Sequence, residues 1–277
     1  MNPISVIAAV LLSVAQPLDG WVDVHIPNGE KRKSLARFLD YPACFKTSAF
    51  TLETPVLNPD FWLKDIDFSC ASPWNSGAGR FRAGTAISKR HVVFANHFPL
   101  WKGVRILFVG SDGGVCPCTV EAVRRVGNSD IMVGLLNAEL TPNIHPAKIL
   151  PADYERHLGA IRGAPVISFN QNEEVFLHEL NEVPTNAVPS ARFRSTWTSH
   201  PVRRQMSGNI VKGDSGNPAF MIFGNQPILV YCLFGGGPGS GYALHMYSRE
   251  IQKVMDELCP GYKLEEFDFK MLKGKLK

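Results

Sequence analysis

Long apolar runs are scarce in this chain of 277 residues. The stretch at the start, Ile4 to Ala15, is apolar apart from Ser5 and Ser13, yet twelve residues are too few to span a bilayer comfortably. No later segment is long and apolar enough for a transmembrane helix, so stable membrane insertion is not expected. Charge of one sign is also in short supply. Twenty-nine Lys and Arg against 25 Asp and Glu leave a formal +4, spread along the chain. That balance argues against nucleic acid or an acidic membrane as the main partner. Internal repeats and low-complexity tracts are missing. A hydrophobic content of 45% is enough to fill real cores, as one large domain or two small ones.

The opening stretch reads as the h-region of a signal peptide, with Ser13-Val14-Ala15 placing small residues before a cut ahead of Gln16. Met1-Asn2-Pro3 carries no Lys or Arg, so a buried N-terminal strand is the competing reading. A secreted or periplasmic location is the expectation. Six cysteines, Cys44, Cys70, Cys116, Cys118, Cys232 and Cys259, form an even set that suits disulfides in an exported chain. Their number leaves the connectivity open. Cys116-Pro117-Cys118 has no matching second pair of the kind zinc needs. Cysteines paired elsewhere, or buried as small hydrophobes, are the plainer reading.

From Gly84 onward, short β-branched and aromatic runs alternate with Gly, Pro, Asn and Asp, the pattern of sandwiches and barrels. Strands are predicted over 85–88, 91–95, 104–109, 131–136, 164–169, 219–223 and 227–234. The last two are split by the turn Gly224-Asn225-Gln226. Residues 247–258 have helical spacing, with apolar side chains at 247, 251, 254, 255 and 258, Ser248 as N-cap, and Cys259-Pro260-Gly261 as the stop. Residues 16–71 show no clean period. Lys31-Arg32-Lys33 reads as a solvated loop, Phe61-Trp62 and Trp74 as the start or the outer packing of the first barrel, and the basic tail from Lys270 as frayed.

Chemistry concentrates in three places. Gly213-Asp214-Ser215-Gly216 lies between a polar loop and a strong strand. Acyl transfer by serine needs an exposed hydroxyl and backbone N–H groups aimed at the developing oxyanion, and flanking glycines permit both. A plain polar turn has the same composition. His97 ends the segment Ala83 to His97, which reads strand, short basic turn, strand and then small residues, where a strand would deliver a base to the rim of a barrel. Asp130 immediately precedes the apolar run Ile131 to Leu136, a place costly for a carboxylate unless it is hydrogen-bonded to a group such as the His97 imidazole.

Together these segments resemble the trypsin/chymotrypsin-like serine peptidases, whose triad follows the same order, His, Asp, Ser. The separations are 33 and 85 residues. Leu233-Phe234-Gly235-Gly236-Gly237 resembles the strand that lines that family's primary specificity pocket, and the closing helix resembles its terminal helix. The resemblance covers about residues 80–258 and implies an all-β fold of two antiparallel six-stranded barrels with a C-terminal helix. It divides the chain into a signal peptide (1–15), an N-terminal extension (16–71), a peptidase domain (72–258) and a basic tail (259–277). His97, Asp130 and Ser215 would be the triad, and the N–H groups of Gly213 and Ser215 the oxyanion hole. Asn209 would stand at the pocket base, with Phe234, Gly235 and Gly241 along its walls. The implied substrate is a protein or peptide, with no metal or organic cofactor. Phe98 after the histidine, and the missing Ile-Val-Gly-Gly start, depart from the animal digestive branch and leave Asp214 without an identified partner. A non-catalytic binding module on the same fold, or an esterase using the same triad, are the alternatives. The latter usually carries Gly-x-Ser-x-Gly in a different triad order.

Overall fold

The computed structural model describes residues 39–40, 56–59, 61–72, 82–158, 161–171, 174–184, 192–201 and 203–272. The signal segment 1–15 with its cut before Gln16, Lys31-Arg32-Lys33, Cys44 and Trp74 lie outside the described residues. The fold is mostly β. A two-stranded piece pairs β1 (Leu39–Asp40) with β2 (Val56–Leu57). A six-stranded sheet contains β3 (Ala71–Ser72), β4 (Gly84–Ala86), β5 (His91–Ala95), β6 (Arg105–Val109), β7 (Val115–Arg125) and β8 (Ile131–Leu136), in the spatial order β3-β4-β5-β8-β7-β6. Its first strand returns to its last, β3 against β6, so the sheet curls into a nearly closed, barrel-like form.

The second sheet has seven strands: β9 (Lys148–Ile149), β10 (Pro165–Phe169), β11 (Val175–Glu182), β12 (Arg192–Thr196), β13 (Pro218–Phe223), β14 (Gln226–Cys232) and β15 (Ser240–Tyr242). Their order is β15-β12-β11-β10-β13-β14-β9, antiparallel except for the short β9–β14 pair. Unbroken apolar runs become strands buried at every position, as in β5, β8 and β13. Two residues, Gly224 and Asn225, suffice to turn β13 into β14, because Gln226 already pairs with Phe223 and Gly224 takes φ +60°. A 3-10 turn, Leu244–Tyr247, runs into the helix Ser248–Leu258, which buries Ile251, Val254 and Met255. Ser248 therefore sits inside the helix, and Tyr247 takes the cap position without a side-chain cap.

Strand β7 has no counterpart among the predicted strands, because Pro117 and the charges from Glu121 onward interrupt its pattern. The structure places Pro117 outward, with Cys116, Cys118 and Val120 turned inward. The folded body also reaches past residues 72–258 at both ends. Phe61, Trp62, Leu63, Ile66 and Phe68 are core residues. Beyond the helix, Phe267 donates its N–H to the Ile149 carbonyl and Ile149 donates to the Glu265 carbonyl, and buried Phe267 and Phe269 pack on Phe223. Lys270 belongs to a 3-10 turn, Phe269–Leu272, rather than to a frayed tail. No helix among the described residues is long and apolar enough to cross a membrane.

Phe68 ties the two sheets together: from just before β3 its ring meets Phe169 of β10 at 5.2 Å and Phe220 of β13 at 5.5 Å. Phe68→Ala is expected to cost about 3–5 kcal/mol, read as a lower urea midpoint at unchanged slope. Acid should also destabilise the fold. Burial pushes His91 and His245 down to about 4 and lowers His178. Neutral in the fold but free to charge when unfolded, they contribute stability that is complete above about pH 6.5 and lost as pH falls toward 4. The loss is on the order of 3 kcal/mol for each of the two shifted furthest. Thermal midpoints measured between pH 7 and 4 should fall, and His245→Phe should flatten the decline.

Candidate active site

Strand pairing brings the base and the acid together. β5 and β8 run antiparallel with Ala95 opposite Ile131, so the residues just beyond β5 lie beside those just before β8. Asn96 donates its N–H to the Asp130 carbonyl at 2.8 Å, and His97 donates its N–H to Asp130 Oδ1 at 2.9 Å. The second carboxylate oxygen, Oδ2, lies 2.6 Å from His97 Nδ1. A carboxylate only accepts, so Nδ1 carries the proton, and in the neutral ring Nε2 is left as an acceptor. That nitrogen faces Ser215 Oγ at 2.8 Å. The Asp130 side chain is 11% exposed and that of His97 40%, so the acid is sheltered while the base faces the solvent.

The serine arrives from the other sheet, on the loop before β13. Gly216 has φ +89°, and a Cβ there would stand 3.2 Å from the Ala83 carbonyl and 3.5 Å from the Ala95 nitrogen. Only a glycine lets this loop settle against β5. Gly216 donates its N–H to the Leu233 carbonyl at 2.8 Å, and Leu233 donates to the Asn217 carbonyl at 2.8 Å. Gly213 takes φ +107°. Among the described residues the N–H groups of Gly213 and Ser215 meet no acceptor. Asp214 is fully buried, and its carboxylate accepts from the Val211 N–H at 2.6 Å and the Gln171 N–H at 3.0 Å. Burial raises its carboxyl, and those two bonds oppose the rise. These are the partners the sequence left open. Asn217 adds a bond from Nδ2 to the Asp214 carbonyl at 3.0 Å.

The rings of Phe234 and His97 meet edge to face, centroids 5.1 Å apart. Phe234 and Gly235 both donate N–H to the Ser240 carbonyl, at 2.7 and 3.2 Å. Gly241 follows on β15, where a Cβ would collide with the Cys232 carbonyl. Phe234 thus stands against the histidine, with Gly235 tied to it through their shared acceptor, the Ser240 carbonyl. Asn209 is not enclosed: it is exposed. Its neighbour Ile210 is buried and exchanges backbone bonds with Gly237 at 2.7 and 2.9 Å. The pairing of Ile210 with Gly237 is a tertiary event that no local pattern announces. Gln171 and Val211 were missed as well, since backbone donors leave no mark in side-chain chemistry.

Two other histidines make partial versions of the arrangement. His145 Nδ1 lies 2.5 Å from Asp67 Oδ2 but offers its other nitrogen to no hydroxyl among the described residues. Ser88 Oγ meets His91 Nδ1 at 2.9 Å in a buried pair without a carboxylate. A cavity of about 820 Å³ is lined by residues such as Ser88, His145 and Lys263 and by none of the three site residues. Cys70, Cys116, Cys118, Cys232 and Cys259 are free thiols, so the expected disulfides are not formed among the described residues. Four of the five are buried. No family model matches the chain, and no curated protein matches it.

The Asp214 bonds hold the loop that presents Gly213 and Ser215. Asp214→Ala is expected to destabilise the fold by about 1–3 kcal/mol for each N–H it leaves without an acceptor, measured as a lower urea midpoint at unchanged slope.

Proposed function

We propose that this chain is a serine endopeptidase, hydrolysing protein or peptide substrates through a His97-Asp130-Ser215 triad and an acyl-enzyme. The observation that carries the reading is the His97 ring held at both nitrogens, by a carboxylate on one side and a serine hydroxyl on the other. Ser215 Oγ attacks the scissile carbonyl as His97 Nε2 takes its proton, and Asp130 stabilises the imidazolium that forms. The N–H groups of Gly213 and Ser215 receive the oxyanion. His97 then protonates the leaving amine, the C–N bond breaks, and water repeats the sequence on the ester.

The same reading extends to the fold, as two chymotrypsin-like barrels facing each other across the triad. Its support is the curled six-stranded sheet, together with the run of antiparallel strands β10 to β15 in which β15 approaches β14. The helix Ser248–Leu258 corresponds to the terminal helix of such enzymes. Export to a secreted or periplasmic location belongs to this reading and rests on the N-terminal sequence alone.

Purified protein treated with a fluorophosphonate probe should label, and it should cut casein. Ser215→Ala should abolish both, a loss of roughly a million-fold in turnover, and Asp130→Asn should cost about 10⁴-fold. Labelling and cleavage that survive Ser215→Ala would overturn the assignment. A chain that labels but never cuts protein would move the reading to an ester hydrolase.

A further inference from the structure

Two residues apart on β7, Cys116 and Cys118 project to the same face, and their Sγ atoms stand 4.0 Å apart. Both are nearly buried, at 5% and 4% exposure, while Pro117 between them faces outward. Opposite them on β6 are Phe108 and Ile106, so the sulfurs look into the barrel-like sheet with apolar neighbours. The proposed hydrolytic apparatus uses neither thiol.

One edge of this environment is polar. Lys89 Nζ donates to the carbonyls of Thr141 and Ile144 at 2.9 and 2.6 Å, which pins the segment that carries Thr141. The Cys116 thiol is pulled down to about 5, chiefly by the hydrogen bond from Cys118 and against the effect of burial. Hydrogen bonds from the Thr141 backbone and hydroxyl, and the Lys89 charge, act in the same downward direction. The same inter-cysteine bond raises Cys118. One sulfur is thus equipped to carry negative charge and the other to supply the proton, the division of labour of a nucleophilic and a resolving cysteine.

We propose that Cys116 and Cys118 are a redox-reactive dithiol, in which Cys116 attacks a small hydroperoxide and Cys118 resolves the product as a disulfide within the strand. In the first step the Cys116 thiolate attacks one peroxide oxygen, the O–O bond breaks, and the other oxygen leaves as water or an alcohol after taking a proton. Cys116 becomes a sulfenic acid. The Cys118 sulfur then displaces the hydroxyl, which departs as water with the Cys118 proton while the S–S bond forms. Two thiols are oxidised by two electrons, and one peroxide is reduced. Burial restricts the oxidant to something as small as hydrogen peroxide. The geometry also makes the product reducible. Residues i and i+2 of a strand are separated by about 6.4–6.8 Å, at the long end of the Cα span of a disulfide, so the closed form stores strain.

The test uses the full-length, pre-reduced protein with hydrogen peroxide, followed by mass spectrometry of the peptide containing residues 115–125. The expected result is loss of the mass of two hydrogens from that peptide, reversed by dithiothreitol. In Cys118→Ser, dimedone should trap the Cys116 sulfenic acid, and in Cys116→Ser the Cys118 thiol should stay reduced under the same treatment. A peptide that stays unmodified while the more accessible Cys259 oxidises would overturn the proposal, as would Cys118 oxidising equally fast in Cys116→Ser. Ser215→Ala should oxidise like the unmodified chain, so this outcome is independent of the hydrolytic reading.

Discussion

At Gly216 the backbone of the seven-stranded sheet lies against β5 of the six-stranded one, close enough that a single Cβ would meet the Ala83 carbonyl and the Ala95 nitrogen. Ala95 closes β5, and the chain reaches His97 two residues later. The same contact therefore sets the Ser215 hydroxyl against the imidazole. Each sheet supplies an incomplete set, a base with its acid on one and a hydroxyl with two open N–H groups on the other. The seam makes them one site, and behind it the rings of Phe68, Phe169 and Phe220 hold the sheets in register.

Two aspartates near the seam occupy opposite electrostatic positions. Asp130 shares its carboxylate between the backbone N–H and the ring of His97, so its charge serves the group beside it. Asp214 is sealed in and spends its carboxylate on the backbone N–H groups of Val211 and Gln171. A buried carboxylate with these partners is an expensive fastener, since burial raises its carboxyl. What it fastens is the loop whose open N–H groups flank the serine, tied to the β10–β11 hairpin. The cost of burial is thus borne by the element that sets the serine against the imidazole.

The legible part of the molecule was legible for identifiable reasons. Strands made of continuous apolar residues, such as β5, β8, β13 and β14, announce themselves because nothing else buries such runs so economically. Strand β7 was hidden because its outward positions carry a proline and charges, which break the apolar pattern. The inward packing of Phe61 to Phe68 and of Phe267 and Phe269 was hidden for a related reason: irregular segments bury aromatics without any period. At the site, His97 and Ser215 stand in recognisable surroundings. Gln171 and Val211 contribute only main-chain donors, and Ile210 gains its place by pairing with Gly237.

Taken alone, the amino-acid order determined a β-rich chain with one amphipathic helix, a histidine, an aspartate and a serine each set at the edge of an apolar run, and glycines on both sides of the serine. Those properties are local, written in side-chain chemistry and in periods a few residues long. The tertiary structure alone decided which of several histidines meets both a carboxylate and a hydroxyl, what satisfies Asp214, and that Ile210 rather than Asn209 turns inward. It also decided that Cys116 and Cys118 remain thiols in contact. The meeting of His97 with Ser215, of Asp214 with Gln171 and of Ile210 with Gly237 joins segments well separated in sequence, where the free energy of burial, and no local preference, selects the partner.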